Sequence, residues 1–132
     1  MKNIILTVLL ICFGQHCFAQ TEVDSCGIAP KYTASFDGIA AKGMLSPEDL
    51  ARIKRLKSED TGIKIIRFSY LIDCGDECEG EGRTVDGDTF TEDDLKAIQA
   101  MKSRNVLSLQ CILGKDKKGG LVSFKPFLYY IR

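Results

Sequence analysis

From residue 45 onward the apolar positions fall into periods that predict local structure. Leu50, Ile53 and Leu56 recur at helical spacing behind Ser46, a good N-cap, and Pro47, which suits the first helical position. Glu48 and Asp49 favour the positive end of that helix, and Leu45 with Leu50 can close a hydrophobic staple. The pattern predicts a helix from 47 to about 57. The same punctuation returns 45 residues later, in Phe90, Thr91, Glu92, Asp93, Asp94 and Leu95. A second helix is predicted from 92 to about 103, with Leu95, Ile98 and Met101 inward and Lys96, Lys102 and Arg104 toward water. The shared residues are generic capping chemistry, so no internal repeat is inferred.

Strand signals occupy the rest. Residues 63–73 are rich in β-branched and aromatic side chains, with Ile66, Phe68, Tyr70 and Ile72 expected on one buried face. After Arg104, the positions Leu107, Leu109, Cys111 and Leu113 alternate with Ser108, Gln110 and Ile112, which places the Cys111 thiol on the core face. Residues 115–120 form a polar turn, and 121–131 a last strand, so this pair reads as a hairpin. Pro126 lacks an N–H and puts the final strand at an edge or a bulge. Residues 20–44 read as an extended N-terminal arm with one short strand within 32–39, ahead of an α+β domain over 45–132. The expected fold class is α+β: a mostly antiparallel sheet covered by one or two helices and stapled by disulfides.

Composition changes this picture at the N-terminus. Lys2, an apolar run from Ile4 to Phe13, and Phe18 and Ala19 form a signal-peptide pattern over residues 1–19, so the mature chain is expected to begin at Gln20 and to be periplasmic or secreted. The run is too short for a membrane span of about 20 residues, and no later stretch approaches that length. Lipidation at Cys17 fits less well, because Phe13, Gly14, Gln15 and His16 make a poor small-residue box. The remaining chain, about 113 residues, suits one core, and a second domain is not expected.

His16 is the only histidine of the 132 residues, and it lies in the leader. Without it the mature chain has no Ser/His or Cys/His nucleophile pair and no histidine zinc ligand. With eighteen basic and eighteen acidic side chains, the 132-residue sequence also lacks the charge excess of a nucleic-acid binder. A non-catalytic module with no cofactor is the expectation.

Four cysteines survive leader removal: Cys26, Cys74, Cys78 and Cys111. An exported setting suggests two disulfides, for which three pairings exist. Pairing Cys74 with Cys78 would make a short clip contributing about 2 kcal/mol, and Cys26 with Cys111 a long closure contributing about 4 to 5 kcal/mol in the loop-entropy model. The rival is a four-thiolate zinc site, which commonly uses two close cysteine pairs where this chain has one.

Between 73 and 94 the chain carries ten acids against Arg83 alone. One reading is a calcium site drawing on Asp76, Glu77, Asp86 and Asp88, since hard cations take several carboxylate oxygens. The segment lacks EF-hand spacing, and the plainer reading is a solvated connection whose last acids serve a helix N-terminus. Glycoside hydrolysis would need a buried acid opposite an exposed one, which nothing marks. Gly80 and Gly82 stand among acids that would repel phosphate, and the Lys115, Lys117 and Lys118 cluster reads as a hairpin tip. Near the C-terminus both faces of the last strand are apolar. Phe127, Tyr129 and Tyr130 are the candidates for contact with a partner strand.

The stretch GDTFTEDDLKAIQAMKSRNVLSLQCILGKDKKGGLVSF, from Gly87, resembles the closing portion of the GldM C-terminal domain family of gliding-motility and type IX secretion proteins in Bacteroidetes. The shared features are Gly87, Phe90, the helix through Ile98, the strand over 106–112, Gly119 and Pro126, with Phe68 central to the preceding strand. The resemblance covers roughly 63–131. It implies a non-enzymatic, mostly antiparallel periplasmic domain that contacts a protein partner in the cell envelope, without the membrane helix and preceding domains of the full-length family members. The cysteines are extra to the family pattern.

Overall fold

Local capping chemistry starts both helices. The computed structural model describes residues 26–40 and 43–132; the leader expected over 1–19 and the first residues of the arm lie outside them. Ser46 Oγ accepts the Asp49 N–H at 3.2 Å while the Asp49 carboxylate accepts the Ser46 N–H at 3.0 Å, opening α1 (Pro47–Arg52). Thr91 and Asp94 repeat the reciprocal pair at the start of α2 (Glu92–Gln99).

Both helices stop earlier than their periodicity predicts. Ile53 turns extended after Arg52, and tertiary backbone bonds then claim the chain. Phe90 N–H donates to the Lys54 carbonyl at 3.0 Å and Leu56 N–H to the Asp88 carbonyl at 2.9 Å. Leu50, Ile53 and Leu56 are still all buried, so the apolar spacing served a short helix followed by β3 (Leu56–Ser58). α2 ends at Gln99 instead of about 103, because Asn105 Oδ1 accepts the Lys102 N–H at 2.7 Å and Arg104 takes a φ of 73°, turning the chain into β6 (Val106–Lys115).

The main sheet runs β2 (Met44–Leu45), β8 (Phe127–Ile131), β6, β4 (Lys64–Asp73), β5 (Glu81–Asp86). Its pairings are antiparallel except β2 with β8, and β7 (Leu121–Ser123) continues the β8 side of β6. β1 (Ala34–Phe36) pairs with β3 in a separate two-stranded ribbon. The architecture is the expected α+β, mostly antiparallel and stapled by two disulfides, Cys26–Cys111 and Cys74–Cys78, with Cα separations of 5.4 and 5.5 Å.

Two bulges correct the predicted faces of the central strands. Ile66 of β4 has no counterpart between the pairs Ile65↔Gly114 and Arg67↔Leu113, and two residues of β6, Cys111 and Ile112, then oppose the single Phe68. The offsets cancel. They put Ile65 rather than Ile66 in the core and bury Ile112 completely, leaving Cys111 and Leu113 half-buried. Cys111 adopts a φ of 51° and turns from the core face on which alternation placed it, toward Cys26 of the arm.

The acidic segment is also more ordered than a plain connection. It holds a 3₁₀ turn (Gly75–Glu77) and all of β5, whose six residues pair with β4 and set buried Val85 opposite Phe68. The last strand breaks in two. Phe124 is fully buried and its N–H donates to the Ile112 carbonyl, while Pro126 sits in the break and β8 lies between β2 and β6 instead of at an edge. The core fills one side of the sheet, where Phe68, Tyr70, Leu107 and Leu109 meet Ile98 of α2, Leu50 of α1 and Phe36 of β1.

Candidate interaction face

The period of two along β8 sends Phe127, Tyr129 and Ile131 to the core side and Leu128 and Tyr130 to the opposite side. Registry places the outward residues of four neighbouring strands in rows. Met44, Tyr130, Val106 and Asp73 form one row, and Leu128, Ser108, Leu71 and Gly82 form the next. Met44, Leu71, Leu128 and Tyr130 are 47, 37, 48 and 53% exposed. Among the described residues they are four of the five large apolar side chains with such exposure, Leu121 being the fifth. Exposed apolar side chains gathered on one face in this way are often functional. Gly80 and Gly82 flank Leu71, where a Cβ at either position would make ordinary van der Waals contact with Leu71 Cδ1, at 3.6 and 3.4 Å.

Of the three aromatic residues proposed from the sequence, the structure turns only Tyr130 to this face. Phe127 and Tyr129 are half-buried and pack on Phe36, with ring centroids 5.6 and 5.5 Å apart. Burial, with Glu59 adding to it, raises the Tyr129 hydroxyl above its ordinary pKa. Met44, Leu71 and Leu128 were not singled out by the sequence, although strict alternation from buried Tyr70 and Ile72 and from half-buried Phe127 would have pointed to Leu71 and Leu128. Met44 carried no comparable signal, since β2 is two residues long.

One end of the face runs into the acidic tip of the β4–β5 hairpin. Asp73 closes the first row, and Asp76, Glu77 and Glu79 follow it, all exposed. Cys74–Cys78 clips this tip across a separation of four residues, and Asp73 Oδ1 accepts the Gly75 N–H at 2.8 Å. Glu81 pairs with Arg83 at 3.4 Å, whereas Asp76, Glu77 and Glu79 make no ion pair among the described residues.

The four acids considered for calcium are not brought together. Asp76 and Glu77 lie in the tip, whereas Asp86 is the last residue of β5 and Asp88 follows it, a strand length of roughly 17 Å away. Asp86 faces Arg67 at 3.8 Å, Asp88 accepts the Thr89 hydroxyl, and among the described residues no three acids or cysteines converge as a metal site.

A buried carboxylate does exist, at Asp94, but its oxygens are occupied. Tyr70 OH donates to Oδ1 at 2.6 Å, and the Thr91 N–H and hydroxyl donate to Oδ2 at 2.9 and 2.7 Å. Burial alone would raise its pKa. The hydrogen bonds from Tyr70 and Thr91, with Arg83 nearby, outweigh that and hold it below the usual carboxylate range. Tyr70 is correspondingly raised, by burial first and then by Asp94. This group ties α2 to the sheet.

A solvent-open cleft of about 870 Å³ lies between β1, β3 and the start of β8, with Lys57 and Glu59 on its wall. Opposite charges there leave no anion or cation preference. Among the described residues no helix is long and apolar enough to cross a membrane. No protein-family model matches the chain, and comparison with curated proteins returns no match.

Proposed function

We propose that this chain is an exported, non-catalytic interaction domain of the cell envelope, an accessory to secretion, motility or envelope assembly, which binds a protein partner through the outer face of its main sheet. The observation that carries the reading is the convergence of Met44, Leu71, Leu128 and Tyr130 on one open face opposite the core. An apolar patch of this kind is the usual footprint of a protein contact. Two disulfides support an oxidising compartment, and the resemblance of 63–131 to the GldM C-terminal domain family supports the envelope role.

The reading is tested by introducing Leu128→Asp with Tyr130→Asp into native cells. Both positions are half-exposed, so the double variant should fold and melt like the parent. It should lose its co-purifying partner. Retention of the same partner at the same yield would contradict the reading.

A further inference from the structure

The outer face is not uniformly apolar, and its asymmetry carries information about what covers it. Its rows of exposed Met44, Tyr130, Leu128 and Leu71 end, on the β4 side, at Asp73 and the hairpin tip. There Asp76, Glu77 and Glu79 stand exposed and make no ion pair among the described residues, on a loop closed by Cys74–Cys78. The only base between Asp73 and Asp94, Arg83, projects with Tyr70 toward the core side and is engaged by Glu81 and Asp94. An anionic partner, a phosphate-rich surface included, would therefore meet uncompensated repulsion beside the apolar rows.

We infer that the occupant is a segment of a partner protein that lays aliphatic or aromatic side chains across Tyr130, Leu128 and Leu71 and sets two or more Lys or Arg side chains against the acidic tip. The inference rests on the proposed role of the face and adds the chemistry of the partner. Apolar contact over the rows supplies the bulk of the affinity, and the tip orients the segment and speeds its arrival. The clip matters because a tethered acidic loop presents its charges at a fixed place beside Leu71.

The test uses the full mature protein and two labelled synthetic peptides. One alternates leucine and threonine and ends in three lysines; the other carries three glutamates in their place. Fluorescence anisotropy should show binding of the lysine peptide and none of the glutamate peptide, and raising salt from about 50 to about 300 mM should weaken it several-fold. Neutralising the tip by Asp76→Asn, Glu77→Gln and Glu79→Gln should weaken the lysine peptide by about ten-fold and remove most of its salt dependence. Leu128→Asp with Tyr130→Asp should abolish binding while the thermal melt is unchanged.

Equal binding of both peptides, no binding of either, or indifference to tip neutralisation overturns the inference. If the native partner is still captured at full yield by the tip-neutralised protein but lost by the Leu128→Asp, Tyr130→Asp protein, the face remains a binding site and only the basic chemistry falls. A dimer in sedimentation that Tyr130→Asp dissociates would assign the face to a second copy and would likewise overturn the inference.

Discussion

Replacing Asp94 by alanine should be among the most destabilising single changes on this chain, and the structure gives the size. The carboxylate accepts from Tyr70 OH, the Thr91 N–H and the Thr91 hydroxyl, and Asp94 itself is 3% exposed. Losing the reciprocal cap costs about 1 kcal/mol. Tyr70 is fully enclosed, and stranding its hydroxyl adds about 1 to 3 kcal/mol. The expected loss is therefore about 3 kcal/mol, a fall in melting temperature of roughly 12 °C for a domain of this size. Urea unfolding of Asp94→Ala, Tyr70→Phe and the double variant checks it as a cycle. In the Tyr70→Phe background the cost of Asp94→Ala should shrink by about 1 to 2 kcal/mol, because no hydroxyl is left to strand. Additive losses, or a single-variant cost under about 1 kcal/mol, would show that the buried contact does not hold α2 to the sheet.

Because Asp94 titrates below its unfolded value, its stabilisation is present above the ordinary carboxylate pKa and lost as pH falls through the lowered folded one. Stability should accordingly decline on acidification below about pH 4, and Asp94→Asn should flatten part of that decline while Asp37 and Asp49, held low mainly by bonds from Arg55 and the Ser46 backbone, keep theirs. Serine replacement of Cys26 and Cys111, which close a separation of 85 residues, should cost about 4 to 5 kcal/mol, and replacement of Cys74 and Cys78 about 2 kcal/mol; denaturant midpoints that reverse this order would contradict the loop-entropy account. In Gly114→Ala the new Cβ would meet the Lys64 carbonyl oxygen and Phe124 Cε2, each at 2.7 Å, so the variant should lose about 1 to 3 kcal/mol, readable as a lowered melting temperature.

Helix starts were legible because they are written locally: Ser46 with Asp49 and Thr91 with Asp94 satisfy each other within four residues. The end of α1 was not, because the bonds that end it come from Asp88 and Phe90, more than thirty residues away. Alternation located β4 and β6 but could not see the paired bulges, which exist only in the registry between the two strands. A single added residue at Cys111 exchanged it with Ile112 for the core position. β5 was hidden by its charges, since only Val85 of its six residues is buried. The candidate face was half legible for the same reason. Tyr130 stood out as an aromatic residue and Leu128 lies two positions before it on the same strand, but Met44 and Leu71 come from two other strands, and their place on the same face is a product of pairing.

The central claim is that a protein partner sits on the outer face. Site-specific photo-crosslinking in native cells tests it most directly, with a benzophenone side chain replacing Tyr130 in one strain and Lys117, at the β6–β7 turn, in another. Both positions are exposed, so labelling chemistry is matched. A discrete heavier adduct from position 130 and none from position 117 is the predicted result. Equal adduct patterns from the two positions, or no adduct from 130, would contradict it.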